Sequence, residues 1–351
     1  MDLSPSKAID WLIIQLVFND KTMLRIAVIE PGQQLSDFVA AMQRSIGVQI
    51  VAVVGQDESA RNEAADRLNT NISVATLQQL LASHDDAIDA VAINSAWNCR
   101  VSEATEAAKA GKHLLIETPL AATSRDAEKI VNSCHAADVR LMVGQRLRFQ
   151  PYQQIVKQRL DSGQLGKAGL LRIHHWASAA TVGGGNRQSE ILDLIVRELD
   201  LAGWLFNASP TTVYAVSTSA PNSTLADYVQ IHLGFEDGTM ALINCQRQSK
   251  SVAQPYYMLT LIGSDGAAYA DDHYNTHLLL QGNRSNSVHV EQGQDALRLQ
   301  LEEFADAVKQ GREPSSCGAD AIRALTIAEA VADSLPAGRA AHWKGDRYEL
   351  D

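Results

Sequence analysis

A carboxylate, a hydroxyl and a conformationally fixed proline follow one another at Glu117, Thr118 and Pro119. The residues before them, His-Leu-Leu-Ile at 113–116, are too few for a helix and predict a buried strand of a parallel sheet. In an open α/β sheet the ligand binds at the carboxyl ends of the strands. We therefore expect the ligand of this protein to lie beside residues 117–119.

The turn after the first predicted strand, Leu24–Ile29, is where a dinucleotide-binding domain carries three phosphate-binding glycines. Only Gly32 is present: Glu30 would place a negative charge near a pyrophosphate, and Leu35 adds bulk where helix and strand should touch. At the end of the second strand, Gly55 stands where a carboxylate for the ribose hydroxyls is expected. The pattern argues against a normal NAD-binding mode.

Strands and helices alternate through the first part of the chain. This alternation is typical of βαβ units and predicts a doubly wound parallel sheet with its ligand crevice at the carboxyl ends of the strands. The predicted strands are 24–29, 48–54, 87–93, 113–116 and 140–143, and the predicted helices are 35–45, 58–69, a short turn at 77–81, 101–110 and 124–136.

The pattern changes after Pro151. Stretches of alternating polarity and hairpin turns predict an α+β arrangement, in which a mainly antiparallel open sheet carries helices on one face. The predicted strands are 170–176, 212–217, 228–235, 239–246 and 256–262, and the predicted helices are 151–162, 191–206, 295–310 and 318–334. We therefore expect a dinucleotide-binding domain at 23–146, a C-terminal domain at 147–340 and a tail at 341–351.

Residues 1–22 precede the first predicted strand as an extension. Their apolar run at 11–18 lacks a basic flank and a small-residue cleavage site, which argues against a signal peptide. Two interpretations stay open: an added arm or upstream start codon, and a docking arm for a partner subunit.

The composition argues against several classes of protein. The net charge of −11 disfavours nucleic acid as a partner, and no segment approaches the ~18 apolar residues of a membrane span. Four widely spaced cysteines without a C-x-x-C pair indicate the reduced thiols of a cytoplasmic protein. Cys99 lacks the histidine–acid partner of a nucleophile, and we interpret the stretch Asp271–His277 as a solvated loop that holds no metal.

Five motifs occur in a recognisable order. They are G-K-H-L-L-I-E-T-P-L-A at 111–121, G-Q-R-L-R-F-Q-P at 144–151, L-G at 165–166, D-L-I-V-R-E-L-D-L-A at 193–202, and closing residues that include G-R-E-P at 311–314 and D-A at 320–321. Together they resemble the Gfo/Idh/MocA oxidoreductases, the glucose–fructose oxidoreductase and inositol dehydrogenase family, over almost all of residues 23–340. The resemblance implies a Rossmann domain, a C-terminal α/β domain whose open sheet often forms oligomer contacts, and NAD or NADP chemistry on a sugar or cyclitol hydroxyl.

The resemblance also implies which residues occupy the site. The cofactor positions hold Gly32, Ser95, Asn98, Glu117 and Pro119, and the substrate positions hold Arg148, Arg197 and Asp200. In the family, the lysine of E-K-P and the histidine of G-x-H-x-x-D flank the reacting carbon and manage its proton. Here these two positions hold Thr118, whose hydroxyl does not titrate near neutrality, and Arg197, which stays protonated.

Two functions are compatible with these replacements. In the first, the protein has lost standard dehydrogenase catalysis and is a binding or partner subunit, with a sugar-like ligand and a homo- or hetero-oligomer formed through the C-terminal sheet. In the second, it is an active NAD(P)-dependent oxidoreductase whose acid–base group is displaced to Glu117, Asp200 or His174. The neighbouring His174 and His175 point to opposite sheet faces, so at most one of them faces a pocket. The joint replacements favour the first function.

Three retained residues permit more than one interpretation. Asp200 is a structural salt-bridge partner of Arg197, one helical turn away, or a catalytic carboxylate. Arg148 is a tie between domains or an anion clamp, and Glu117 either meets a ribose or is a structural carboxylate. We favour the structural interpretation for Asp200 and Arg148.

Overall fold

The computed structural model describes residues 23–32, 35–42, 44–178, 187–218, 228–248, 256–271, 277–282, 286–289 and 296–351. The extension at 1–22 that the sequence sets apart lies outside the described residues.

The first sheet is built from six strands: β1 (Leu24–Ile29), β2 (Val48–Val54), β3 (Ile72–Val74), β4 (Ala90–Ile93), β5 (His113–Glu117) and β6 (Leu141–Gly144). Their order is β3-β2-β1-β4-β5-β6, and the pairs β1–β2, β1–β4, β2–β3 and β4–β5 are parallel. Almost every side chain of β1, β4 and β5 is buried, which explains their nearly continuous apolar sequences. The predicted doubly wound parallel sheet is confirmed.

Helices connect the strands of this sheet. They are α1 (Leu35–Met42), α2 (Glu58–Leu68), α3 (Leu77–His84), α4 (Trp97–Lys109) and α5 (Ser124–Ala136). Asp57 and Thr76 cap α2 and α3, because their side chains accept hydrogen bonds from backbone N–H groups of the first helical turn. The sequence pattern missed β3, and β4 begins three residues later than predicted because residues 85–87 form a 3₁₀ turn.

The second sheet is mainly antiparallel. Its strands are β7 (Ala168–Ser178), β8 (Thr212–Thr218), β9 (Tyr228–Gly234), β10 (Met240–Gln248), β11 (Tyr256–Gly263), β12 (Gly266–Asp271), β13 (His277–Gly282), β14 (Asn286–His289), β15 (Ala341–Trp343) and β16 (Tyr348–Leu350). Their order is β14-β13-β12-β11-β7-β10-β9-β8-β15-β16, and the central pair β7–β10 is parallel. The residues after 340 are therefore more than the predicted tail, since β15 pairs with β8 and β16 with β15.

Four helices accompany this part of the chain in sequence: α6 (Pro151–Asp161), α7 (Arg187–Phe206), α8 (Ala296–Gln310) and α9 (Gly318–Ala337). Helices α7 and α9 pack on one face of the sheet. Alternate strand residues point to that face and are buried, such as Leu171 and Ile173, which are 0% exposed. On the opposite face Tyr228 and Met240 are 47% and 54% exposed. One face of the sheet is thus covered and the other is open, as predicted.

The chain forms two compact units, each from separate stretches. The first contains the described residues up to Ile116, with Ser133–Met142 and Leu297–Ser315. The second contains Glu117–Asn132, Val143–Ala296 and Ser316–Asp351. The domain borders inferred from the sequence stay a prediction.

A close backbone contact joins the L-G turn at 165–166 to the hairpin that follows β11. The carbonyl of Lys167 accepts a hydrogen bond from Ser264 N at 2.9 Å, and that of Leu165 accepts one from Asp265 N at 3.2 Å. A Cβ on Gly263 would overlap the Leu165 carbonyl oxygen. Glycine is therefore needed at residue 263 because two backbone segments meet there.

Replacing Gly263 with alanine should lower the free energy of unfolding by about 1–3 kcal/mol, the usual cost of overpacking a filled site. Urea denaturation followed by circular dichroism measures the loss. Gly169→Ala is the matched control, because its Cβ would meet the Ile262 carbonyl at an ordinary 3.5 Å. Equal losses in the two variants would contradict the steric explanation.

Candidate functional site

The turn after β1 contains two left-handed residues although only one of the three loop glycines is present. Glu30 and Gly32 have φ angles of 48° and 47°, the left-handed region that favours glycine. The Asn94 side-chain amide donates hydrogen bonds to the carbonyls of Glu30 at 3.1 Å and Pro31 at 3.4 Å. These contacts from the end of β4 hold the unusual conformation of Glu30.

The Glu30 side chain reaches the end of the neighbouring strand β2. Its Oε1 accepts a hydrogen bond from Gln56 N at 3.0 Å, and a Cβ built on Gly55 would lie 3.5 Å from that oxygen. The sequence places this charge near a pyrophosphate, whereas the structure places it at the tip of β2. The residue that lacks a side chain, Gly55, leaves the space that the carboxylate uses.

Leu35 occupies the position of the third loop glycine and is 8% exposed. It packs in an apolar cluster with Val53 of β2 and with Ala64 and Ala65 of α2. The bulk that the sequence places at this helix–strand contact is therefore absorbed in the core of the first unit.

Ser95 and Asn98, the predicted cofactor residues after β4, differ in environment. The Ser95 hydroxyl donates to the carboxylate of Glu103, and its carbonyl accepts from Arg100 Nε at 2.8 Å. Asn98 is exposed in the first turn of α4. Burial raises the pKa of Glu103, and the negative charge of Glu30 raises it further. The end of β4 and the end of β1 thus form one electrostatic environment.

In the second unit, the carboxylate of Glu117 is packed against the backbone after β6. Glu117 is 6% exposed, and its Oε1 lies 3.5 Å from Arg146 Nη2. A Cβ on Gly144 would lie 2.8 Å from Oε2 of Glu117, so only glycine leaves room for this side chain. The Thr118–Pro119 peptide is cis. Both interpretations of Glu117, ribose contact and structural carboxylate, stay predictions.

Arg148 and Asp200 form a buried ion pair. The guanidinium of Arg148 contacts both oxygens of Asp200, at 2.7 and 2.5 Å, and Oδ2 of Asp320 at 2.9 Å. The side chains of Arg148 and Asp200 are 3% and 1% exposed. Burial alone would lower the pKa of Arg148, but the two carboxylates outweigh it and raise that pKa above its usual value.

This network corrects two of our interpretations. Asp200 pairs with Arg148 and not, as predicted, with Arg197. Arg148 does not tie the two units together through this network, because Asp200 and Asp320 belong to the same unit as Arg148. The sequence analysis did not single out Asp320, although it stands in the closing motif that carries the family resemblance.

The two positions of the family's acid–base groups each contain a buried polar atom without a partner. Thr118 Oγ1 and Arg197 Nε accept or donate no hydrogen bond among the residues that the structure describes. A bound molecule can supply the partner that such an atom lacks. A hydroxyl and a guanidinium can both donate hydrogen bonds to a ligand oxygen.

A histidine–carboxylate contact that the sequence analysis missed lies one residue beyond Arg197. Nδ1 of His175 is 2.7 Å from Oε1 of Glu198, which is 0% exposed. His174 points to the other sheet face and lies 3.5 Å from the Asn244 amide, so the predicted division of the two histidines is confirmed. Strand alternation was the available signal, but it could not identify Glu198 as the partner.

Cys245 completes a group of three potential metal ligands, with His175 and Glu198, whose atoms lie within 4.8 Å of one another. Burial raises the pKa of the Cys245 thiol well above its usual value, and Glu198 raises it further. All four cysteines are free thiols, as expected.

In the loop that the sequence analysis considered as a metal site, Asp271 accepts a hydrogen bond from the Tyr256 hydroxyl at 3.0 Å. Residues 272–276 lie outside the described residues.

Two family models match this chain. One, described as an oxidoreductase family with an NAD-binding Rossmann fold, covers residues 24–145, and the GFO/IDH/MocA C-terminal domain covers residues 153–269. The chain belongs to the Gfo/Idh/MocA oxidoreductase family. The motif resemblance is thereby confirmed.

Known members of the Gfo/Idh/MocA family align over most of this chain. A myo-inositol 2-dehydrogenase of Thermotoga maritima is 25% identical, covering 89% of this chain and 96% of its own length. An uncharacterized oxidoreductase of Bacillus subtilis is 27% identical over 73% of this chain and 78% of its own. An oxidoreductase of Agrobacterium radiobacter, solved with NAD⁺, L-tartaric acid and magnesium, has the same fold, with a TM-score of 0.80 at 22% identity over 92% and 98% of the two chains.

The described part of the β1 turn leaves space around Gly32. Glu30 and Gly32 have left-handed φ angles, and a Cβ on Gly32 would meet nothing within 4 Å. An uncovered backbone in this conformation is compatible with a phosphate group.

No described helix is both long and apolar enough to cross a membrane.

Replacing Arg148 with methionine should destabilise the protein by about 3–5 kcal/mol, since it leaves Asp200 charged and buried without a partner. The shift of the urea midpoint measures this. Arg25→Met is the control: Arg25 pairs with Asp89 at 2.7 Å, but the two side chains are 37% and 33% exposed, so a loss of about 1 kcal/mol or less is expected. A control loss as large as that of Arg148→Met would refute the dependence on burial.

Proposed function

We propose that this chain is a Gfo/Idh/MocA protein that binds a nicotinamide dinucleotide and a sugar-like ligand but does not catalyse standard hydride transfer. It would act as a binding or partner subunit. The observation that carries the proposal is that Thr118 and Arg197, at the two acid–base positions, have orphaned buried polar atoms and no group that titrates near neutrality.

The chemistry of alcohol oxidation explains why these positions matter. A nicotinamide dinucleotide, when bound, would supply the hydride acceptor, and oxidation of an alcohol also requires that the hydroxyl on the reacting carbon lose its proton. Removing a positioned general base costs typically ~10²–10⁴ in rate. Thr118 and Arg197 can each hold an oxygen atom of a polyol, whereas neither accepts its proton.

The proposed cofactor contacts are those of the family positions. Gly32 would face the pyrophosphate, with Ser95 and Asn98 after β4 and Glu117 and Pro119 after β5 as further contacts. Arg197 would contact the sugar-like ligand. Arg148 and Asp200 also occupy substrate positions, but the ion pair between them uses the groups that would bind a ligand.

One observation favours the second candidate function, an active dehydrogenase with a displaced base. His175 forms a histidine–carboxylate contact at 2.7 Å with Glu198, the residue that follows Arg197, and such a contact can orient an imidazole for proton transfer. The groups suggested by the sequence suit this role less well. Asp200 is paired with Arg148, and His174 lies on the other face of β7.

The proposal predicts that the wild-type protein turns over myo-inositol and simple aldoses with NAD⁺ or NADP⁺ at a rate at least about 10²-fold below that of active family members. Formation of reduced nicotinamide, followed at 340 nm, measures the rate. Thr118→Lys combined with Arg197→His should raise it, because both proton-handling groups are restored. Thr118→Met with Arg197→Gln is the matched control and should stay inactive.

Turnover by the wild-type protein at ordinary dehydrogenase rates would contradict the proposal. If His175→Ala then abolished that turnover without changing the circular dichroism spectrum, the second candidate function would replace the first.

The open sheet face is the proposed contact surface for a second copy or a related subunit in the cytoplasm. Met240 and Ile262 on this face are 54% and 40% exposed, and Tyr228 is 47% exposed. Exposed apolar side chains gathered on one sheet face are typical of an interaction surface.

Met240→Glu should therefore shift the purified protein to a smaller species in size-exclusion chromatography with light scattering, since a charge in an apolar interface lacks a partner. Ile46→Glu is the control, because Ile46 is 61% exposed and belongs to the first unit and not to this sheet. A wild-type protein that is monomeric at micromolar concentration would refute the proposed surface.

A further inference from the structure

We propose that Glu30 supplies, from the end of β1, the ribose-binding carboxylate that a Rossmann domain ordinarily supplies from the end of β2. The chain would accordingly select NAD(H) over NADP(H). This inference rests on the nucleotide binding proposed above and specifies which nucleotide is bound.

The register of the first sheet places the two positions side by side. Ile29 of β1 is level with Val54 of β2, so Glu30 and Gly55 are the next residues at adjoining strand tips. The backbone N–H of Glu30 donates to the Val54 carbonyl at 2.9 Å, which holds the tips together. A carboxylate from either tip can therefore reach the same region of the sheet edge.

The carboxylate of Glu30 lies beside the position where the usual acid would stand. A Cβ on Gly55 would lie 3.5–3.6 Å from the carboxylate atoms of Glu30, an ordinary contact distance, so an aspartate at residue 55 would place a second negative charge next to the first. Like charges at such distances repel strongly unless one of them is protonated. The acid that is missing at residue 55 is thus replaced by the acid at residue 30.

The Glu30 carboxylate is held in place and still able to accept hydrogen bonds. Its Oε1 is bonded to Gln56 N, and within the described part of the chain Oε2 receives no donor. The residue is half-buried, so the carboxylate is accessible. The Asn94 amide fixes the backbone beneath it. A pair of ribose hydroxyls can donate to such a group, as they do to the usual acid.

The surrounding charges disfavour a 2′-phosphate. Glu30 and the nearby Glu103 both contribute negative charge, which is evident in the raised pKa of Glu103. Arg61 lies at this edge, where its Nη1 donates to the Gly55 carbonyl at 2.7 Å and its Nε to the Ser73 hydroxyl at 3.0 Å. Two of its three guanidinium nitrogens therefore stabilise the tips of β2 and β3.

Binding of NADH and NADPH, measured by calorimetric titration, tests the inference without any turnover. The wild-type protein should bind NADH at least about tenfold more tightly than NADPH. Glu30→Gln should weaken NADH binding about tenfold, the effect of losing about 1.4 kcal/mol, and should narrow the difference between the two nucleotides. Glu58→Gln, an exposed carboxylate in the first turn of α2, is the matched control and should bind both nucleotides like the wild type.

An exchange of the two positions gives the sharpest test. In the wild-type background Gly55→Asp should weaken NADH binding, because it would place a second negative charge next to the first. In the Glu30→Gly background the same substitution should restore it, since the acid returns to β2 and glycine suits the left-handed φ of residue 30. If Gly55→Asp weakens NADH binding in the wild type and strengthens it in the Glu30→Gly background, the two positions share one carboxylate site.

Three outcomes would overturn the inference. In the first, Glu30→Gln binds NADH as tightly as the wild type, so the carboxylate makes no contact. In the second, Glu30→Gly binds either nucleotide more tightly, so the side chain is an obstruction. In the third, the wild type binds neither nucleotide while Glu30→Gly/Gly55→Asp binds NADH. Dehydrogenase turnover by the wild type would instead overturn the proposed function and leave the role of Glu30 untouched.

Discussion

The second unit depends on one buried ion network. Arg148, in the 3₁₀ turn after β6, holds Asp200 of α7 and Asp320 at the start of α9, and the three side chains are at most 19% exposed. Charges with so little contact with water are stable only as a complete set, since removing one leaves the others buried and unpaired. The three residues come from three separate sequence motifs, which the structure shows to be parts of a single contact.

That constraint explains why residues that build the family fold are retained although Thr118 and Arg197 occupy the two acid–base positions. An arginine at residue 148 cannot change without a loss of stability, and Gly144 cannot gain a side chain without displacing Glu117. By contrast, Thr118 Oγ1 and Arg197 Nε have no hydrogen-bond partner within the described residues. A sequence can therefore preserve the motifs that build the fold and exchange those that move protons. Retained motifs are by themselves evidence for the fold and not for catalysis.

The sequence predicted most of the architecture, because buried strands such as β1 and β4 are continuous apolar runs flanked by helices. It missed β3, whose three residues carry almost no periodic signal. In the site, the sequence failed to predict the partner of a side chain wherever that partner lies far away in the chain. Arg197 is three residues from Asp200 and was the obvious partner, yet Arg148, 52 residues away in the chain, binds it. The direction of the Glu30 side chain could not be predicted either, because it follows from a left-handed backbone that few non-glycine residues adopt.

The interrupted course of the first unit has a consequence for how the protein is made. Residues 297–315 belong to that unit, where the carboxylate of Glu302 accepts a hydrogen bond from Ile46 N at 3.0 Å. A ribosome delivers the chain from its amino terminus at about 5–20 residues per second. The first unit therefore waits for many seconds, while most of the second unit is synthesised, before its last helix arrives. During that interval its unfinished surface is a natural place for a chaperone to bind.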